Sequence, residues 1–591
     1  MRSLRLGRSA AAWLAALLLV AMPASARSAN SALQAKPCTV GDSKAPAICG
    51  TLTVYEDRAA KAGRSLLIHY IVIKAKHSTN RAIAFNPGGP GGSAIEAAPN
   101  FADGGFGMLR DWHDILLVDN RGTGKSAPQQ CDFAPPARPE LFFMQLWPDS
   151  LVKACRDRLG PGANLSLYST SVAADDLDDI RAALGYKKLA LFGGSYGTRF
   201  YLDYARRHPD HVESIVLDGV APPHFYVLPL PMAAGAQASI DALIAACRAD
   251  ATCAKHFPSF SEHFAALVGR FDAGPVLVPL PGPAALGRRV RLSKEVFAEA
   301  VRHAMYSEDA AQLPVIVERA YHGNYAALAG LVEQMSRLFA SAQATGLNLS
   351  VTCAEDIPFI TEADVVRTSS NSFEGDVRVR AQQRACREWN VAPVAAAFVE
   401  PVRTSVPTLM VSGSDDPATP PSYAKQELAF LANARILLVQ GASHSSDFPP
   451  CVYQTMAKFF RARSASGLDL VHCAAAYHRI PFATLTYFES AGGENAGLTA
   501  RFRRIFREIP TGHIDRTVLT PSLSGALSAG MLKQVAAQLA GAGPMESFVY
   551  RGSHRAAKGM AYAYFAHFEQ GNANVTITLN AAGKIADLDI T

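Results

Sequence analysis

Charge is scarce in this chain. Asp, Glu, Lys and Arg make up 18% of its 591 residues, below the roughly 25% usual for soluble domains. Apolar residues are not scarce: they reach 49%. A disordered chain shows the reverse balance, so disorder as the main state is excluded. Net charge is small as well. It is +6, and Arg2, Arg5 and Arg8 at the extreme N-terminus supply three of those positives. That is no nucleic-acid footprint. The one basic cluster, RFRRIFR at Arg501–Arg507, reads as a solvated helix face. Long apolar runs are missing too. Ala10–Met22 spans 13 residues where a membrane-crossing helix needs about 20, and no later stretch does better. Neither CxxC nor HExxH spacing occurs, which speaks against a zinc site. Internal repeats and low-complexity linkers are also lacking.

What is present begins with a leader. Three arginines, the apolar run and the small-x-small triplet Ala24-Ser25-Ala26 predict a signal peptide over residues 1–26, with a mature chain starting near Arg27 and exported to periplasm or medium. No cysteine follows the cleavage site, so lipid attachment is not indicated. All ten cysteines lie beyond it, in even number, as expected of a chain that meets an oxidising compartment. They fall into close twos, which suggests 38–49, 131–155, 247–253, 353–386 and 451–473 (Cys38 with Cys49, Cys131 with Cys155, Cys247 with Cys253, Cys353 with Cys386, Cys451 with Cys473). Each such loop contributes roughly 2–4 kcal/mol.

Short apolar runs bounded by turn residues recur at Ala82–Phe85, Ile115–Val118, Leu189–Phe192, Ser214–Leu217, Thr408–Val411 and Ile436–Val439. They do not alternate polar with apolar, which indicates a parallel sheet covered on both faces. Helical patterns at Ser171–Leu184 and Arg199–Arg207 lie between them, so the class is α/β. From about Pro222 to Pro401 the pattern is helical, with Ser293 as an N-cap. This reads as a helical insertion placed over the C-terminal strand edge. Beyond Arg479 a helix at Leu527–Leu539 precedes strand-like runs at Ser547–Arg551, Met560–Phe568, Asn574–Leu579 and Ile585–Ile590. The expected division is therefore a leader (1–26), a sheet domain in two parts (37–221 and 401–478), a helical cap (222–400) and a small α+β domain (484–591). The last weakly resembles cystatin-like or nuclear-transport-factor-like accessory domains.

Gly193-Gly194-Ser195-Tyr196-Gly197 follows one predicted strand and opens a helix, the context a G-x-S-x-G nucleophile elbow requires. A serine that attacks an acyl group needs an oxyanion hole, a base and an acid that orients the base. The Tyr196 N–H is one expected donor. The other comes from Asn86-Pro87-Gly88-Gly89-Pro90-Gly91-Gly92-Ser93, where Gly89 is preferred and Gly88 is next. That loop carries neither GK[ST] nor GxGxxG, so phosphate binding does not fit it. The base candidate is His444, after the Ile436–Val439 run. Asp416 is preferred as the acid for its Gly-x-x-Asp spacing, with Asp218 and Asp415 as alternatives. Asp119 and Arg121 read as structural props of the glycine-rich loop. The run Asp175–Asp179 reads as a solvated helix face that complements the helix dipole, not as a metal site.

Together, PGGPGGS, DNRGTGKS, GGSYGT, SGSDDPATP and GASH resemble the prolyl and tripeptidyl aminopeptidase family of α/β-hydrolase serine peptidases, over about Pro37 to Ala475. Cys353-Ala354-Glu355-Asp356 and Cys386-Arg387-Glu388-Trp389 are similar to the tripeptidyl-aminopeptidase branch. Asn86 stands where prolyl aminopeptidases carry His, and the tail lies outside the family's usual chain. The resemblance implies an α/β-hydrolase fold, with Ser195 as nucleophile, His444 as base and Asp416 as its orienter. It implies an exported aminopeptidase that needs no metal or organic cofactor and acts on a peptide or small acyl substrate, with a carboxylesterase as the alternative. Glu355 and Asp356 are the candidates for holding a substrate ammonium, against a reading as a solvated acidic pair.

Overall fold

The computed structural model describes residues 33–590 apart from 78, 136, 226–228, 281–287, 342–343, 445–448, 476–478, 480, 484–493, 557 and 569–570. The leader expected over 1–26 lies outside the described residues.

Nine strands form the main sheet: β1 (Leu33–Val40), β2 (Ala45–Asp57), β3 (Ala62–Ile73), β4 (Ala82–Asn86), β5 (Asp114–Val118), β6 (Leu189–Gly194) and β7 (Val212–Asp218), then, after the insertion, β10 (Thr408–Gly413) and β11 (Ala434–Val439). Their order is β1-β2-β3-β5-β4-β6-β7-β10-β11. From β5 to β11 every pairing is parallel. β4 to β7 and β10 are the apolar runs of the sequence, extended by one to three residues and almost wholly buried. Both faces are covered: Leu116, Leu191 and Ile215 pack into one core, Ile115, Ala190 and Val216 into the other.

The antiparallel start was not anticipated. β1, β2 and β3 pair as a meander that joins β5, and the sheet begins at Leu33, before the expected boundary at 37. The insertion is likewise not purely helical. β8 (Val276–Pro279) and β9 (Arg289–Leu292) form a small hairpin inside it. Ser293 caps the helix Lys294–Ala304 as expected, its side chain accepting from Val296 N.

The helix Thr345–Glu355 belongs to the insertion by sequence, yet Ala344, Leu347 and Val351 are buried in the core of the main sheet. Five disulfides join Cys38–Cys49, Cys131–Cys155, Cys247–Cys253, Cys353–Cys386 and Cys451–Cys473, the neighbour pairs. In the tail, β12 (Met545–Ala556), β13 (Gly559–Phe568), β14 (Gly571–Leu579) and β15 (Ile585–Ile590) make an antiparallel meander. Phe502, Ile505 and Phe506 of the helix Ala496–Glu508 pack on one face of it, so the RFRRIFR stretch has an apolar side as well as a basic one.

Candidate active site

The register places the C-terminal ends of four strands side by side. Gly194 of β6 pairs with Asp218 of β7, Asp218 with Val411 of β10, and Gly413 with Val439 of β11. Ser195, Asp218, Asp415, Asp416 and His444 all follow or end these strands, on one edge of the sheet.

Ser195 is the hinge of a strand–helix turn at φ 53°, ψ −122°, a conformation that costs a non-glycine residue roughly 1–3 kcal/mol. Its neighbours over-determine it. Ser195 N donates to Asp218 O (2.7 Å), and Thr198 Oγ1 donates to Ser195 O (2.6 Å). Gly197 has to be glycine, because a Cβ there would lie 2.3 Å from the Asn86 carbonyl oxygen. The glycine-rich loop leaves β4 directly beside this turn: a Cβ on Gly88 would sit 3.1 Å from both Ser195 Cβ and Tyr196 N. Gly88 donates its own N–H to Asn86 Oδ1 (3.1 Å). Asp119 does prop this loop, accepting from Ser93 Oγ (2.6 Å) and Ile95 N (3.2 Å).

His444 Nδ1 lies 2.8 Å from Asp416 Oδ2. Asp416 is 2% exposed. Its other oxygen accepts from Ala418 N and Thr419 N, each at 2.8 Å. Thr419 Oγ1 donates to Asp416 Oδ2 (2.7 Å) and sits 3.1 Å from His444 Nδ1. With Nδ1 committed to the carboxylate, Nε2 is the nitrogen free for a proton from elsewhere. Burial works against charge on both groups, but their mutual attraction and hydrogen bond outweigh it. The Asp416 carboxyl is held below its ordinary value, and the His444 imidazole is raised above 6.5.

The alternative acids have other partners. Asp415 bonds Ser414 Oγ and the guanidinium of Arg479. The charge of Asp218 also raises the His444 pKa, less than that of Asp416 does. Thr419 was not singled out in the sequence, although it stands three residues after Asp416 inside SGSDDPATP.

The insertion roofs this edge. The Tyr306 ring lies 4.9 Å from that of His444. Ser443 Oγ donates to Met305 O, and Ser239 Oγ donates to Asp415 O. Arg302, ion-paired with Glu299, donates to the Tyr306 hydroxyl.

Two expectations about acids need correction. Glu355 and Asp356 are neither a solvated pair nor a free receptor for an ammonium. They are 1% and 0% exposed, and Arg199 already neutralises them, with Nη2 2.8 Å from Asp356 Oδ1 and Nη1 3.8 Å from Glu355 Oε2. Burial still pushes the Glu355 carboxyl up to about 8, against the charge of Arg199 and two hydrogen bonds from Thr170. Arg199 sits one helical turn beyond Ser195, so the insertion's acids are tied to the helix that the serine turn opens.

The run Asp175–Asp179 is not a solvated face either. Asp176 is 1% exposed and meets Arg121 (2.7 Å) and Arg58 (2.9 Å). Asp178, His208 and His211 bring possible metal-ligand atoms together, but Arg181 already occupies the Asp178 carboxylate at 2.7 Å.

Residues 81–247 match the family model described as alpha/beta hydrolase fold, and residues 371–470 match that of TAP-like protein. Among known proteins, the serine protease Hip1 of Mycobacterium tuberculosis is 26% identical over 440 residues, covering 68% of this chain and 82% of that protein. The tripeptidyl aminopeptidase of Streptomyces coelicolor is 31% identical over 218 residues, or 34% of this chain and 40% of the relative. The proline iminopeptidase of Xylella fastidiosa is 29% identical over 133 residues, 22% and 30% of the two chains.

Proposed function

We propose, from these likenesses to α/β-hydrolase serine peptidases that include prolyl and tripeptidyl aminopeptidases, that the chain is an exported aminopeptidase working through Ser195, His444 and Asp416. The observation that carries the reading is the strained serine turn on the same sheet edge as a buried Asp416–His444 pair. In this mechanism Ser195 Oγ attacks the substrate carbonyl, and His444 Nε2 takes its proton. Asp416 holds the imidazole in the required tautomer and stabilises its positive charge. The oxyanion develops against the N–H groups of Gly89 and Tyr196. His444 then returns the proton to the leaving amine, and water releases the acyl group.

Release from the N-terminal end is supported by the names of two relatives and by the roof. An edge covered by helices admits a chain terminus more readily than the middle of a folded polypeptide. Export is supported by the five disulfides, which persist in oxidising compartments, and by the leader pattern.

A substrate panel tests the reading. Free-amine aminoacyl and tripeptidyl anilides are expected to turn over, and their N-blocked versions to lose most of their kcat/KM. Equal turnover of blocked and free substrates overturns the exopeptidase reading. Turnover of a short-chain aryl ester alone puts a carboxylesterase in its place.

The pH profile supplies a second check. Because Asp416 raises His444, the acid limb of kcat/KM has its midpoint above pH 6.5, where the imidazole loses its proton and becomes a base. Asp416→Asn removes that pull. It moves the midpoint down and lowers kcat about 10⁴-fold, as loss of the orienting acid does in serine peptidases. An unmoved midpoint would mean that His444 does not titrate in the rate.

A further inference from the structure

We infer that the helix Thr345–Glu355 is a strut that holds both sides of the oxyanion pocket, with Asn348 and Thr170 as positioning residues for the reaction. The inference rests on the Ser195 reading above.

The N-terminal end of the helix grips the glycine-rich loop. Ala344 N donates to Gly91 O (3.0 Å), and Asn348 Nδ2 donates to Pro90 O (3.3 Å). The backbones are so close that a Cβ on Gly91 would lie 2.8 Å from Ala344 O, at a φ of +120°. These contacts fall on the residues immediately after Gly89.

The C-terminal end reaches the other donor. Glu355 Oε1 accepts from Thr170 N (2.6 Å), and Oε2 accepts from Thr170 Oγ1 (2.7 Å). Thr170 Oγ1 lies 2.6 Å from the Tyr196 hydroxyl. A threonine hydroxyl has one hydrogen. With Glu355 as a carboxylate, Thr170 gives it to Glu355 and the Tyr196 hydroxyl is the donor in this second bond; with Glu355 protonated the relay runs the other way over the same three oxygens. The Tyr196 side chain is thereby tied to the helix, and its backbone N–H is the one that follows the nucleophile. Thr170 is 0% and Tyr196 5% exposed, so water does not compete for the relay.

Asn348 and Glu355 are seven residues apart, about 10 Å along a helix axis. One rigid body therefore spans from the Pro90–Gly91 corner to the Thr170–Tyr196 pair. It is held on its remaining sides. Thr345 Oγ1 donates to Cys131 O (2.8 Å), Gly346 N to Gln129 O (2.8 Å) and Ser350 Oγ to Gln129 Oε1 (2.8 Å). Cys353 is bonded to Cys386. An oxyanion hole works because its donors are fixed before charge develops, and misplacement of about 1 Å far from the chemistry can cost 10²-fold. On this account the insertion supplies part of the catalytic framework as well as a cover.

Two shape-conserving variants test the strut, one at each end. Asn348→Leu removes the donor to Pro90 but costs little in packing, because Asn348 Oδ1 is buried and takes no hydrogen bond among the described residues. Thr170→Val removes the hydroxyl that joins Tyr196 to Glu355, and Thr170→Ser keeps it. On protein titrated for active serines, Asn348→Leu and Thr170→Val are expected to lower kcat 10- to 100-fold while KM changes less than threefold. Affinity for a peptide aldehyde, which forms a tetrahedral adduct on the serine, should fall by the same factor as kcat/KM. Thr170→Ser should restore the rate to within threefold of wild type.

The strut is overturned if the variants melt lower yet keep wild-type kcat per active serine, or if KM rises while aldehyde affinity stays unchanged. Failure of the underlying reading looks different: Ser195→Ala would then still turn substrate over, and wild type would not react with a fluorophosphonate.

Discussion

Ser195→Ala lowers kcat by about 10⁵- to 10⁶-fold, the loss seen when a triad serine is removed from a serine peptidase, and abolishes labelling by a fluorophosphonate probe. The size follows from the division of labour at the sheet edge. His444 and Asp416 prepare a proton acceptor, which does nothing without a hydroxyl to deprotonate. A residual rate of about 10³-fold over water is expected, because the oxyanion donors and the binding surface remain. The fold is kept, since the Ser195 side chain makes no capping bond to the helix it precedes. Its backbone, however, stays at φ 53° whichever L-residue stands there. Ser195→Gly removes the steric part of that cost and is expected to melt higher than Ser195→Ala while being equally inactive. Equal labelling of wild type and Ser195→Ala would remove the nucleophile assignment. A lower melting point for the glycine variant would remove the strain argument.

Arg199→Met destabilises the protein by about 3–5 kcal/mol, the usual consequence of stripping one partner from a buried ion pair. Methionine keeps most of the side-chain volume, so the loss is electrostatic rather than a cavity effect. It leaves Glu355 and Asp356, 1% and 0% exposed, next to one another with no cation. Glu355, its carboxyl already pushed up to about 8, is protonated at neutral pH once the cation is gone, so adding Asp356→Asn removes the stranded charge and should recover more than half of the loss. Urea midpoints of the single and double variants measure this. If the double variant is no more stable than Arg199→Met alone, the arginine acts through packing and the charge account fails.

The contrast between these sites explains what could be read from the sequence. The elbow, the glycine-rich loop and the two late strand ends are local patterns, each a few residues after an apolar run, so β4, β6, β10 and β11 carried Gly89, Ser195, Asp416 and His444 with them. The parallel strands were visible because both faces are covered and their central positions are nearly all apolar. β1 to β3 were missed for the opposite reason. Their positions largely alternate between core and solvent, as in Leu66, Ile68 and Tyr70 of β3; no continuous run marks β1, and the run Tyr70–Ile73 that ends β3 was legible but passed over. The hairpin β8–β9 has four-residue strands, too short to stand out among helices.

The buried acids were misread because burial of a charge depends on a partner far away in sequence. Nothing around Asp176 announces Arg121, and nothing around Glu355 and Asp356 announces Arg199. Ordinary exposure statistics for acids point to solvent in all three cases. Thr419 was legible in principle, as a hydroxyl three residues after the acid.

The pairing of β7 with β10 has a consequence for how the molecule forms. Asp218 and Val411 are neighbours in the sheet, yet about 190 residues of insertion are made between them. Closing a loop that long costs about 2–3 kcal/mol more entropy than closing one of ten residues, and the cost falls if the loop is already compact. The insertion can prepare itself: it supplies most of an apolar cluster around Phe260, Phe264 and Phe297, which earlier-made residues such as Phe142 and Trp147 join, and the 247–253 and 353–386 disulfides are both internal to it. Until β10 arrives, β7 is a bare edge and neither Asp416 nor His444 has a place to stand. The order of synthesis therefore keeps the serine turn without its base until the roof above it has been built, so a half-made chain is a silent one.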